Sequence, residues 1–470
     1  MNVRTKFLSI PLSLWWASLL AFASSGVIMV ISTNQVSNTT QMAYRWEPSA
    51  AAGNTWAHSW AEFPVSNIFS YNSFLAIWNG STNWGTPVQL TAPNGNQLQS
   101  DVNIAWDSFR SRFVFTTLDG MGGGVWYGYY DSMGTHWTPT PVFPSSSGNW
   151  DYPSIGVDAS GRIIIGAVRF PSPPTYFAAV STDGVNFSSP VQIGSLPGAQ
   201  SRVVATDNQF YTFAPRLNSS NLPIAVDLYQ SADGANWSSP STLATFASPL
   251  NNTPSGISPT VFYGPLLAAS GYTNGLWAMA IQINFSQYNN VYMCTSDRGC
   301  GVVNGAADDQ FLAGVSVSAD GGYWISYLTY STLNTRQLPL ITQAIYFPAG
   351  AGAIGATTST GIDPTSWFFR PDRCLSSCYA AGDFNTVASN PYAAATTPFI
   401  KASSHQSDLF QIFTQDPQTQ PNAQNFKPNF IPFPKGADLR GHAVPFPPGE
   451  PAAIGLAPEK KIGIAVRQNP

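Results

Sequence analysis

A motif that returns at a nearly constant interval constrains this chain more than any other feature. Asn83-Trp84-Gly85-Thr86-Pro87-Val88-Gln89-Leu90 comes back as Asn186-Phe187-Ser188-Ser189-Pro190-Val191-Gln192-Ile193 and, shortened, as Asn236-Trp237-Ser238-Ser239-Pro240. A looser copy runs from His136 and Trp137 to Val142 and Phe143. The aromatic positions 137, 187 and 237 lie 50 residues apart, and Trp84 precedes the first by 53. Periods of this size belong to solenoids and propellers.

One period reads as four short strands. Residues 152–157 lead through the turn Asp158-Ala159-Ser160-Gly161 into 162–170; then come 176–182, the turn Asp183-Gly184, and 187–193. Four antiparallel strands per period are what one propeller blade requires. Further first strands are expected at 102–106, 202–206, 259–263, 312–317 and 383–389, which makes six. Residues 73–79 and 84–90 supply late strands without an early one, whereas 383–389, 398–402 and 409–415 supply early strands without a fourth. The two ends would complete one blade and leave no open sheet edge. The expectation is an all-β, six-bladed propeller of four-stranded antiparallel blades over residues 57–416, with an insertion at about 348–381. A seventh blade follows if 56–70 holds another strand pair.

Composition narrows the function. Twenty basic and 24 acidic residues make the chain 9% charged, where about 25% is usual. A net charge of −4 with 13% aromatics excludes disorder driven by charge. So few basic residues over 470 positions form no stripe for nucleic acid. No lysine lies between Lys6 and Lys401, and Glu47, Glu62, Glu450 and Glu459 are all the glutamates. Carboxylate chemistry between 63 and 449 therefore falls to aspartate. Few ionisable groups also leave folding little affected by pH.

The N-terminus reads as an export signal. Arg4 and Lys6 precede an apolar stretch over residues 8–31, and about 20 apolar residues span a bilayer as a helix. Ala21-Phe22-Ala23 also offers a small-residue cleavage site. Residues 1–32 are thus an N-terminal hydrophobic helix, either an uncleaved signal anchor or a signal peptide cut after Ala23. Residues 33–56 follow as a polar stalk, and 417–470 as a Pro-rich tail. Cys294 with Cys300 and Cys374 with Cys378 suit two local disulfides of an exported protein, although four cysteines allow three connectivities.

Ser181-Thr182-Asp183-Gly184-Val185-Asn186-Phe187 and Ser231-Ala232-Asp233-Gly234-Ala235-Asn236-Trp237 resemble the Asp box, or BNR repeat, of sialidase-like propellers; Asp131 to Trp137 is a degenerate third copy. The resemblance implies that Asp183 and Asp233 hold turn amides between third and fourth strands, and that Phe187 and Trp237 pack between blades. It implies a glycosidase or a glycan-binding propeller over roughly residues 60–416. The sialidase set of three arginines with a tyrosine–glutamate pair is not recognisable, so an active exo-sialidase is not expected. Most arginines fall at turns, where a solvated role is expected; Arg202 opens a first strand and is expected to face the channel.

Propeller ligands usually meet the loops that precede the innermost strands. Asp151, Asp383 and Asp309 recur there as candidate acid and base on a glycosidic bond, with Asp101, Arg202, Trp150, Tyr152 and Phe384 as candidate ligand contacts. The same carboxylates suit a hard cation such as Ca2+ in the channel; no cofactor is otherwise required. Against each stands a plainer role, the acids capping strand entries and the aromatics filling interblade core. The expected protein is an exported, monomeric module that binds an extracellular glycan or surface protein, touching the membrane only through its N-terminal segment. The alternative is a glycoside hydrolase working through the channel aspartates.

Overall fold

The computed structural model of the protein describes residues 29–35, 43–64, 72–78, 84–95, 99–120, 123–170, 174–194, 200–218, 223–246, 267–272, 275–285, 288–303, 310–318, 320–332, 337–347, 349–350, 360–365, 388–389, 394–402 and 407–415. These residues form seven four-stranded antiparallel sheets. After β1 (Met29–Gln35), blade 1 comprises β2 (Ala43–Ala52), β3 (Trp56–Pro64), β4 (Asn72–Ile77) and β5 (Val88–Leu90). Blade 2 holds β6 (Gln99–Asp107), β7 (Arg112–Asp119), β8 (Val125–Asp131) and β9 (Gly134–Trp137). Blade 3 holds β10 (Asn149–Val157), β11 (Ile163–Phe170), β12 (Thr175–Ser181) and β13 (Val191–Ile193). Blade 4 holds β14 (Arg202–Ala205), β15 (Phe210–Leu217), β16 (Pro223–Ser231) and β17 (Ser241–Thr245). Blade 5 holds β18 (Leu267–Gly271), β19 (Trp277–Phe285), β20 (Tyr288–Thr295) and β21 (Gly299–Val302). Blade 6 holds β22 (Gln310–Val317), β23 (Tyr323–Thr332), β24 (Gln337–Phe347) and β25 (Thr360–Thr365). In blade 7, β26 (Ala388–Ser389), β27 (Ala394–Ala402) and β28 (Ser407–Gln415) are completed by β1.

The first strands touch in succession, β2 to β6, β10, β14, β18, β22, β26 and back to β2, so the ring is closed. The β-propeller of four-stranded antiparallel blades is as the repeat predicts. Beyond the six blades counted from the repeat, the strand at 56–64 and its partner at 43–52 supply early strands to blade 1, which brings the sheets to seven. Of the residues expected as a stalk, 33–35 end β1 and 43–52 form β2, where Ala50 and Ala51 are buried on an inner strand; 36–42 lie outside the described residues. Met29 to Ile31, the end of the apolar run, are strand rather than helix; Met29 and Val30 pair with β28, and Ile31 stands at the bulge before Ser32. A short apolar stretch reads equally as helix or strand, and the pairing partner lies almost 400 residues away in sequence. The fifth blade's first strand is β18, not 259–263, which lies outside the described residues. The insertion at 348–381 carries the fourth strand of blade 6, β25. Residues 1–28 and the tail 417–470 lie outside the described residues; among those described, no helix is long and apolar enough to cross a membrane.

Blades stack face to face, which buries both sides of their middle strands. Hence β11 reads Ile163-Ile164-Ile165 without alternation, and all three are fully buried. Ile163 and Ile165 join the core between blades 2 and 3, while Ile164 joins the core between blades 3 and 4. Such runs mark strands covered on both faces. Near the axis the inner strands are close enough that a Cβ on Gly156 would lie 2.7 Å from the Ala205 nitrogen. Serine hydroxyls stitch the same region: the amides of Ile104, Val203 and Val317 donate to Ser49, Ser154 and Ser270 of the preceding blade at 3.3, 3.1 and 3.3 Å.

Candidate functional site

The central channel has two chemically different ends. Each inner strand enters from the loop that follows the preceding blade and leaves through its first-to-second-strand turn. At the entry end, β2, β6, β10 and β22 each carry a bulge, between Trp46 and Ser49, Ser100 and Asn103, Asp151 and Ser154, and Phe311 and Gly314. A bulge leaves residues outside the ladder and re-aims their side chains. Asp101 and Tyr152 sit in two of these bulges with φ of 51° and 52°, a left-handed conformation uncommon for either residue.

The sequence-derived candidates part company here. Asp151 is buried, with Oδ1 accepting the Tyr152 N–H at 2.8 Å, and Asp101 is half-buried. Trp150 and Tyr152 are each only 3% exposed. Trp150 donates from Nε1 to Pro144 O at 3.0 Å and packs against Phe143 and Phe177, while Tyr152 belongs to the core between blades 3 and 4. Both rings are interblade core and offer no face to a sugar. Arg202 is 5% exposed and donates from Nε to Leu267 O on the next inner strand at 3.2 Å, a tie between blades 4 and 5. Asp309, Asp383 and Phe384 lie outside the described residues. Among the described residues, no three His, Cys, Asp or Glu side chains gather in a way that could hold a metal ion.

The exit end holds a cavity of about 400 Å³. Its wall is built from the last residues of six inner strands: 49–52, 103–106, 155–157, 204–205, 269–271 and 315–317, with Gly53, Asn54, Ser108 and Tyr272 at the turns. Small side chains dominate, which is why there is room. Among the described lining residues none is Asp, Glu, His, Lys or Arg. Strands rise about 3.3 Å per residue, so Asp151 stands roughly 20 Å along β10 from Val157 at this end. The aspartates near the exit are occupied. Asp107, fully buried, accepts Arg110 Nη1 at 3.0 Å and Arg112 Nε at 3.2 Å. Asp158, also fully buried, accepts Arg162 Nε at 2.6 Å together with the amides of Ser160 and Arg162 at 3.0 and 2.9 Å.

Those arginines are not solvated turn residues. Arg110 Nη1 donates to Gly161 O, Arg112 Nη2 to Gly184 O and Arg162 Nη1 to Ala232 O, each at 2.7 Å and each to the following blade. Arg298 Nη2 likewise reaches Gly321 O at 3.0 Å. Asp–Arg pairs near first-to-second-strand turns thus clamp blade 2 to blade 3 and blade 3 to blade 4. The signal in sequence is an aspartate ending the first strand with an arginine four or five positions on, as in Asp107/Arg112 and Asp158/Arg162.

The two S-x-D-G-x-N-[FW] segments fold as the same turn between third and fourth strands. Asp183 Oδ1 accepts the amides of Val185 and Asn186 at 2.8 and 2.7 Å, and Oδ2 accepts Asn186 Nδ2 at 2.7 Å. Asp233 makes the equivalent bonds to Ala235 and Asn236 at 2.8, 2.8 and 2.7 Å. Gly184 and Gly234 each adopt φ of 76°, open to glycine without steric cost. The Asn186 amide, then its side chain and the Val185 amide, hold the Asp183 carboxyl well below the usual range, and Asp233 is held down in the same way. Phe187 packs on Tyr127 of blade 2 at 4.9 Å, and Trp237 packs on the core between blades 3 and 4. Cys294 and Cys300 form a disulfide across paired strands β20 and β21, with an S–S distance of 2.02 Å. Cys374 and Cys378 lie outside the described residues.

No protein-family model matches the chain, and no curated protein matches it. Solved structures resemble it in fold. The β-propeller domain of the trilobed protease from Pyrococcus furiosus aligns at TM-score 0.43 and 9% identity, covering 79% of this chain and 96% of that one. A leech intramolecular trans-sialidase aligns at TM-score 0.41 and 12% identity, covering 66% and 68%. A PL25 ulvan lyase aligns at TM-score 0.43 and 10% identity, covering 81% and 95%. At these identities and scores the likeness carries nothing about activity.

Proposed function

We propose that this chain is an exported propeller that binds an extracellular glycan or a surface protein and leaves it chemically unchanged. The observation that carries the reading is the channel's exit cavity, which has no Asp, Glu, His, Lys or Arg among its described lining residues. General acid–base chemistry needs a positioned titratable pair within hydrogen-bond reach of the substrate, and the nearby Asp107 and Asp158 are spent on arginines. The Asp-box-like turns serve the scaffold: they order hairpins and receive clamps from the neighbouring blade.

Export is supported by the Cys294–Cys300 disulfide, since such bonds persist in oxidising compartments. Strand β1 favours the cleaved form. A membrane helix reaching Ile31 would take Met29, Val30 and Ile31 away from blade 7, whereas cleavage after Ala23 leaves the strand whole. The intact mass of the exported protein tests this point, with a chain beginning at Ser24 as the expected result.

A glycoside hydrolase working at the entry end is the second reading. It is favoured by the left-handed backbone of Asp101 at its bulge, because strained conformations gather at functional sites. Incubation of the purified chain with sialyl and neutral aryl glycosides, beside a glycan array, separates the two. Retention on the array with every glycoside intact is expected. Turnover that disappears in Asp101→Asn or Asp151→Asn would replace binding with catalysis.

A further inference from the structure

Resting on the reading of the propeller as a binding module, we infer that the exit-end cavity is the ligand site and that its ligand is an uncharged, hydroxyl-rich molecule of mono- or disaccharide size. Ligand pockets span about 300–1,000 Å³, so a cavity of about 400 Å³ takes a small ligand or one chain end rather than a polymer segment. Among its described lining residues there is no cation to pair with a carboxylate or sulfate and no anion to pair with an amine. Burying a charge without a partner is costly, so a charged ligand is selected against.

The polar groups that remain suit hydroxyls. Ser49 and Ser270 each use one lone pair to accept an amide, from Ile104 and Val317. Ser270, the partly exposed one of the two, keeps a hydroxyl proton to donate and a second lone pair to accept, whereas Ser49 is only 1% exposed and serves the strand contact. Asn54 and Ser108 stand exposed at the rim and Asn103 is half-exposed within; the amides both donate and accept, as sugar hydroxyls do. Trp106 and Tyr272, half-exposed on blades 2 and 5, are the aromatic members of the wall. Both also pack against interblade cores, and the part of each ring left open can cover an apolar sugar face. This end lies opposite the entry loops where Asp101 and Asp151 sit, so binding here is independent of those two carboxylates.

The test uses the full chain with methyl β-glucoside, N-acetylglucosamine, cellobiose and lactose as probes, and glucuronate, glucosamine and sialyllactose as charged counterparts. Saturation-transfer NMR and calorimetry are expected to show binding of at least one neutral saccharide, with its charged counterpart weaker by about tenfold or more. Ala269→Leu and Ala105→Leu, which add bulk at lining residues that also pack against interblade cores, are expected to abolish binding while thermal unfolding stays cooperative. Asn54→Asp, at the exposed rim, is expected to weaken binding severalfold and cannot act through the core. Tighter binding of a charged probe overturns the inference, as does a loss in Asp151→Asn with none in Ala269→Leu. If no saccharide binds, the inference falls. Capture of a surface protein would then leave the binding module standing, and glycoside turnover would remove that too.

Discussion

His58 gives this low-charge protein one sharply placed acid sensitivity. It lies on β3 between Ala57 and Ser59, fully buried, with its ring edge-on to Trp84 at 4.7 Å. Burial pushes its pKa down to about 3, against about 6.5 in an unfolded chain. The native state therefore keeps the imidazole neutral while the unfolded state takes up a proton. The sign follows directly: His58 costs nothing above about pH 6.5 and destabilises the fold progressively as pH falls towards 3. At about 1.4 kcal/mol per unit, the loss between about pH 7 and 4.5 is roughly 2.5 kcal/mol. Urea unfolding of the wild type and of His58→Phe at both pH values measures it. Every other titrating group is shared, so the difference between the two proteins isolates the histidine. The wild type is expected to lose about 2.5 kcal/mol more than the variant on acidification. Parallel losses would refute the buried, neutral assignment, as would a His58 NMR signal that titrates near pH 6.5 in the native protein.

Three further outcomes come from the same set of contacts. Arg112→Met should destabilise by about 3 kcal/mol, because it strips a buried cation from Asp107 and leaves Gly184 O without its clamp; calorimetry checks it. Asp183→Ala should cost about 1 kcal/mol, as loss of a capping carboxylate does elsewhere. Since its amide partners hold the Asp183 carboxyl below the unfolded value, that gap should be full at neutral pH and close as pH falls through the acidic range; urea unfolding across that range measures it. Replacing Cys294 and Cys300 together by serine should lower stability by about 2 kcal/mol, the entropy of so short a loop, with reducing agent lowering the wild type by that much more than the variant.

Much of the architecture is legible in the residues themselves because blade structure is local. A period of fifty residues, Asp-Gly turns and short strands are all written in contiguous residues, and so are the turns at Asp183 and Asp233. Ring closure is not local. Strand β1 finds its partner in β28, and nothing in Met29-Val30-Ile31 distinguishes a strand from the end of a hydrophobic helix. For β2, the small residues Ala50-Ala51-Ala52-Gly53 carry no strand signature, because they lack the β-branched residues that usually announce one and that other inner strands keep at Ile155, Val204 and Val315. Trp150 and Tyr152 escape a reading from sequence for a related reason: beside a strand entry, an aromatic serves either ligand or core, and only the neighbouring blade decides.

Those small residues also link fold to site. Seven inner strands converge on one axis, and side chains there must shrink until the strands can approach. Alanine, serine and glycine meet that demand at the exit end, and by shrinking they open the cavity. The few charges meanwhile sit where they hold blades together, Asp107 with Arg112 and Asp158 with Arg162. Carboxylates fixed in that way are unavailable for acid–base work, and a wall of small neutral groups provides hydrogen bonds without a field. Among the described residues of the exit end the charges stand at the blade junctions and the wall is neutral, an arrangement that suits selective capture of a neutral ligand, which needs no charge.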